Sequence, residues 1–98
     1  MTIVNQIFDV LTDIEAERKR QLILKKAGRF KYTPSDGPLT DHERLSMITE
    51  EVGEVARNCL ARNGKVTDGE KTDAALYKEL CQVAALSLAW MQRLDKTM

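Results

Sequence analysis

Five residues in this sequence have the types and spacing of a cation-binding site. Glu50, Glu51 and Glu54 lie within one short helical stretch, and Glu79 and Gln82 follow further along the chain. At about 100° per residue, Glu51 and Glu54 are i,i+3 neighbours and Glu50 and Glu54 are i,i+4 neighbours. Three like charges so placed repel, and a divalent cation reverses the sign of that interaction. Mg²⁺ takes oxygen ligands from a few carboxylates and fills its octahedron with waters or phosphate oxygens. The plain alternative is a solvated acidic face. Glu79 sharpens the question, because by helical rotation it falls on the flank of an apolar stripe. A carboxylate there has to pair, bind a metal or take up a proton. Arg44 and Arg57 are the candidate partners for an ion pair.

Three helices must position these residues. The spacing of Ile3, Ile7, Val10, Leu11 and Ile14 predicts a first helix over residues 2–27, with Thr2 as cap and Gly28 as terminator. Beyond Glu17 its apolar stripe thins and basic residues take over, so this half is expected to extend past the core or to line a site. Pro34, Gly37 and Pro38 make residues 28–41 a loop. Arg29, Phe30, Lys31 and Tyr32 give the loop two cations and two rings, suited either to a base with its phosphates or to an ordinary surface turn. Thr40 and Glu43 form a capping box that opens the second helix. Its stripe is Leu45, Ile48, Val52, Val55, Ala56 and Cys59, and the three acids are expected on the opposite side. Asn63 and Gly64 end it. Thr67 to Glu70 repeats the capping pattern ahead of a third helix that reaches about Leu94. Leu76, Leu80, Val83, Ser87, Trp90, Met91 and Leu94 form its expected stripe. From Leu80 to Met91 it carries no charge. A helix apolar nearly all round is buried on most sides, which three helices of one chain do not achieve. The expected fold is therefore all-α, a three-helix subunit forming an oligomeric antiparallel helical bundle.

The chain has 98 residues, 43% of them hydrophobic, with 15 basic and 15 acidic side chains. That is one domain over residues 1–98 with a small private core. No apolar run is long enough for a membrane span and no secretion signal is evident. Cys59 and Cys81 stand far apart with no CxxC pair, which points to a reducing, cytoplasmic setting and away from a zinc ribbon. A single histidine, His42, excludes a histidine-rich metal site and disfavours a histidine-based triad. Zero net charge conceals an asymmetry: residues 18–35 hold seven basic side chains and no acidic one. Such a pairing of basic and acidic regions suits a metal–polyanion site or simply two solvated faces.

The order EExxE, 24 intervening residues, then ExxQ resembles the EExxE…ExxD signature of the MazG-like all-alpha nucleoside triphosphate pyrophosphohydrolases. The likeness extends to Thr49–Arg57 around the first acids and to Glu79–Ala85 with Ala89-Trp90 around the second pair. Glu17–Gln21 and Lys25–Gly28 also look similar to that family's first helix and its exit. The resemblance implies a homodimer or homotetramer that cleaves a nucleoside triphosphate between the α- and β-phosphates, releasing monophosphate and pyrophosphate. It implies Mg²⁺, with Mn²⁺ in its place, and a role in nucleotide-pool housecleaning. Glu51, Glu54 and Glu79 would then be metal ligands, with Gln82 at the fourth position. Glu50 and Glu54 would be the catalytic carboxylates, Glu50 orienting water. Lys25, Lys26, Arg29 and Lys31 are the candidate phosphate-holding cations, chosen for charge and nearness to the loop.

Gln82 departs from the pattern, since its neutral carbonyl is a weaker ligand than Asp for a hard cation. This leaves a second reading, a catalytically weakened nucleotide-binding or oligomeric interaction module. A nucleic-acid-binding helix over residues 18–31 is disfavoured by balanced charge and the lack of a recognised binding motif.

Overall fold

The computed structural model describes residues 2–29, 31–65 and 71–98. They form three α-helices and, among the described residues, no strand: α1 (Ile3–Lys26), α2 (Asp41–Arg62) and α3 (Asp73–Asp95). Each boundary has a local cause. Thr2 accepts from Asn5 N at the start of α1, and Gly28 takes φ +78° just beyond its end. Thr40 and Glu43 make the full capping box of α2, and Gly64 at φ +70° follows its C-cap. The expected box at Thr67–Glu70 lies outside the described residues. The cap of α3 is Thr72, which accepts from Ala75 N.

The third helix is the centre of the subunit. It packs against both α1 and α2, and among the described residues those two do not meet. Glu51 faces Gln82, and Arg62 pairs with Asp73 at 2.6 Å, so α2 and α3 run antiparallel. Tyr77 donates to Asp13 at 2.6 Å, while Arg18 Nε donates to Gln92 Oε1 at 2.9 Å, so α1 and α3 run in the same sense.

The faces differ from those expected. The buried seam of α3 is Cys81, Ala85 and Ala89, a row of small residues at i, i+4 and i+8. Small side chains let two helices approach one helix from different sides. Leu80, Met91 and Leu94, expected in the core stripe, are exposed. On α2 the buried residues are Arg44, Asn58 and Ala61, while Leu45, Val52 and Cys59 face outward. The expectation that the acids lie opposite the packed face is thereby corrected: Glu51 is half-buried on the side facing α3, and only Glu50 and Glu54 are exposed. On α1 the packed half is the second, where Arg18 and Gln21 are buried. It is the first half that stands clear, with every residue from Thr2 to Asp13 exposed.

Cations hold the loop between α1 and α2. Arg44, 6% exposed, donates from Nε to the Pro34 carbonyl at 2.9 Å and from Nη2 to the Asp36 carbonyl at 2.7 Å. Arg18 Nη2 reaches Ser35 Oγ at 2.8 Å. Lys25 pairs with Asp36 Oδ1, whose other oxygen accepts from Thr33 N at 2.7 Å. Burial pushes the Asp36 carboxyl up, but the bonds from Lys25 and Thr33 and the nearby Arg18 hold it below the usual range. Thr33, Pro34 and Leu39 are consequently buried beneath a polar loop.

Candidate functional site

The acidic site forms where α2 crosses α3. Position 51 brings one carboxylate to the seam, and positions 79 and 82, one turn apart on α3, face it. The Gln82 carboxamide fills the space between them. With its NH₂ toward the acids it donates to Glu51 Oε2 at 3.0 Å and to Glu79 Oε2 at 2.8 Å. The reverse orientation would set an amide oxygen against two carboxylates. Burial, then the charge and hydrogen bonding of Glu79, then the charges of Glu50 and Glu54, push the Glu51 carboxyl up to about 7. The fold thus favours a proton on Glu51.

Of the expected site residues, the structure brings together Glu51, Glu79 and Gln82. Glu54 and Glu50 sit on the adjacent exposed side of α2. Among the described residues, no three acids, histidines or cysteines are grouped closely enough to hold an ion between them. The donor set still fits a hard cation: all the candidate donor atoms are oxygens once Gln82 turns its carbonyl inward.

The expected phosphate-holding cations are spread out. Lys25 is engaged with Asp36, while Lys26, Arg29 and Lys31 are exposed at the end of α1 and on the loop. Lys31 Nζ stands 5.4 Å from the Tyr32 ring centroid. Phe30 lies outside the described residues. Arg44, one of the two arginines weighed as a partner for Glu79, is engaged with the loop.

A small cavity of about 60 Å³ is lined by Glu51 and Gln82. Glu17, Arg20, Gln21 and Tyr32 also line it. Arg20 donates to both oxygens of Glu17, at 2.7 Å from Nε and 2.6 Å from Nη2. That bonding and the charge of Glu51 raise the guanidinium further above its ordinary range, against some burial. Gln21 is 4% exposed, and its Oε1 has no partner among the described residues. Sequence reasoning placed Arg20 in the basic run, and both Arg20 and Gln21 in the stretch that looks similar to the family's first helix, with no site role for either. The available signal was their register: positions 17, 20, 21 and 24 share one face of α1.

No family model, no curated protein and no solved structure matches this chain.

Proposed function

We propose that this chain is a Mg²⁺-dependent nucleoside triphosphate pyrophosphohydrolase of MazG-like type, working as a homo-oligomer. One observation carries the reading: Glu51 and Glu79 converge from antiparallel helices onto a single point, half-buried, at an energetic cost that shows as the raised Glu51 carboxyl. Like-charged groups held together out of water are maintained where a ligand of opposite charge uses them. The resemblance of residues 49–57 and 79–90 to the family's two acidic helices names the ligand class.

Glu51 and Glu79 would hold the metal, with Glu54 one turn along α2 and the carbonyl of Gln82 as the remaining protein oxygens. A bound Mg²⁺ (or Mn²⁺) supplies charge neutralisation on the departing pyrophosphate. The residues of the chain do the rest. Glu50, on the open side of α2, accepts a proton from the attacking water. Lys26, Arg29 and Lys31 lie on one stretch of exposed chain and attract the triphosphate. Lys25 acts differently from its neighbours: by pairing with Asp36 it fixes the loop that carries Lys31 and Tyr32.

The oligomer rests on exposed apolar surface. Ile3, Val4, Ile7, Phe8 and Leu11 are each more than half exposed on α1, and Leu45 and Val52 lie open on α2. Contiguous apolar patches of that kind mark association sites, and a homodimer or homotetramer covers them.

The Gln82 amide favours a second reading on its own evidence. It is neutral where the family pattern has Asp, and as a weaker ligand for a hard cation it suits a module that binds nucleotide and turns it over poorly or not at all. Pyrophosphate release from a panel of ribo- and deoxynucleoside triphosphates, with and without Mg²⁺, separates the two. Metal-dependent release that Glu54→Gln abolishes supports the hydrolase. Tight nucleotide binding without release supports the module, and absence of both removes the nucleotide reading.

A further inference from the structure

We propose that Arg20 is the residue that grips the polyphosphate at this site, with Glu17 as its positioning residue. The inference rests on the polyphosphate reading above and adds a residue to it. The argument is one of donor accounting. A guanidinium has five N–H donors in a fixed plane. Glu17 takes two of them, one from Nε and one from Nη2, in a chelate with both contacts under 2.8 Å. The remaining three have no protein partner among the described residues. The two side chains are unequally covered, Glu17 being 10% exposed and Arg20 45%. A mostly buried carboxylate therefore holds one edge of the fork, and Arg20 lines the same cavity as Glu51 and Gln82.

This is the geometry of a prearranged anion grip. A free surface arginine loses rotamer freedom when it binds, whereas here the chelate has already fixed the plane. Arg20 is also the cation that lines a cavity together with Glu51 and Gln82. Lys25 is tied to Asp36, and Lys26, Arg29 and Lys31 are outside that cavity wall. Alone, the Arg20–Glu17 pair is neutral and Glu51 and Glu79 are acidic, so a bare anion is repelled. Binding would therefore need a divalent cation, which Glu51 and Glu79 would hold, while the guanidinium edge would donate hydrogen bonds to the phosphate.

Inorganic pyrophosphate is the probe, titrated calorimetrically into the full chain with and without Mg²⁺. Expected are Mg²⁺-dependent binding by the wild type, a loss of at least tenfold in Arg20→Gln, partial recovery in Arg20→Lys, and about a threefold loss in Glu17→Gln. Lys19→Gln, which removes an equal charge from an exposed position on the same helix, should stay within twofold. Binding by Arg20→Gln equal to the wild type, or a loss no larger than that of Lys19→Gln, overturns the proposal, as does the absence of Mg²⁺-dependent pyrophosphate binding in the wild type. Circular dichroism on each variant shows whether the helices remain, and Arg20→Lys carries the test if Arg20→Gln does not fold. Pyrophosphate binding with these sensitivities, in a chain that never hydrolyses a nucleotide, supports the grip while removing the hydrolase reading.

Discussion

With its NH₂ toward the acids, the Gln82 amide nitrogen stands 2.8 Å from Glu79 and 3.0 Å from Glu51, so a neutral side chain bridges the two carboxylates. The amide relieves the repulsion between the two acids by donating to both. It does so with its nitrogen, whereas a metal requires its oxygen. Binding a cation therefore breaks two hydrogen bonds before it makes a new one.

Gln82→Asp should accordingly move stability and metal affinity in opposite directions. In EDTA the variant loses both amide donations and gains another like charge, a cost of about 2 kcal/mol. In Mg²⁺ the added carboxylate tightens the site by about tenfold. Denaturant unfolding in the two buffers measures both. Equal stability of the two proteins in EDTA would show that the amide contacts contribute nothing.

Glu51 makes the metal-free protein sensitive to pH. Its carboxyl is raised in the folded chain from an ordinary 4.5 to about 7. Between those values the folded state holds a proton that the unfolded state has released, so stability falls as pH rises through that window. The contribution is fully present below the unfolded value and is gone above about 7. The melting temperature of the metal-free wild type should decline from pH 5 to pH 7, and Glu51→Gln should flatten this component. Added Mg²⁺ should raise the melting temperature more at pH 7.5 than at pH 5.5, because metal and proton compete for the same oxygens.

The loop should depend on Arg44 much more than on Lys25. Arg44→Ala strips two charge-assisted bonds from the Pro34 and Asp36 carbonyls and should cost about 3 kcal/mol. The Lys25 side chain is 36% exposed, and its pairing with Asp36 is screened by water, so Lys25→Ala should cost under about 1 kcal/mol. Chemical denaturation of the two variants gives the comparison. If Lys25 does hold the loop for phosphate binding, its loss should raise KM more than it lowers stability.

Association should be lost when the open face of α1 is charged. Ile7→Glu together with Leu11→Glu places two acids on residues that are each more than half exposed in the single chain. Sedimentation velocity should show an oligomer for the wild type and single-chain mass for the variant. An unchanged sedimentation coefficient would place the interface elsewhere.

Helix boundaries were legible because their causes are local. Thr2, Thr40 with Glu43, Gly28 and Gly64 act on groups within four residues, so the sequence contains the whole interaction. Helix faces were less legible. On α2 the most apolar stripe does not face α3, because Arg44 is needed at the loop and Asn58 and Ala61 meet the neighbouring helix. On α3, Cys81, Ala85 and Ala89 are buried because they are small enough for two close helices, a property that an apolarity pattern ranks below leucine. Glu79 was legible as a charge on a helix flank, whereas Glu51 was expected away from the packed face and lies half-buried on the side facing α3. Arg20 was hidden among seven cations, and only the fold separates it from Lys25, whose charge is engaged with Asp36.

The first half of α1 has one more consequence. Residues 2–13 make up about half of a helix that is about 36 Å long, and all are exposed in the single chain. A helical segment of that length has little stability of its own in water. Its hydrogen bonds therefore draw on whatever covers its apolar side. Secondary structure and assembly become one equilibrium at this end of the molecule: dilution should unwind Ile3–Leu11 before the remaining helices, and backbone amide exchange there should slow as protein concentration rises.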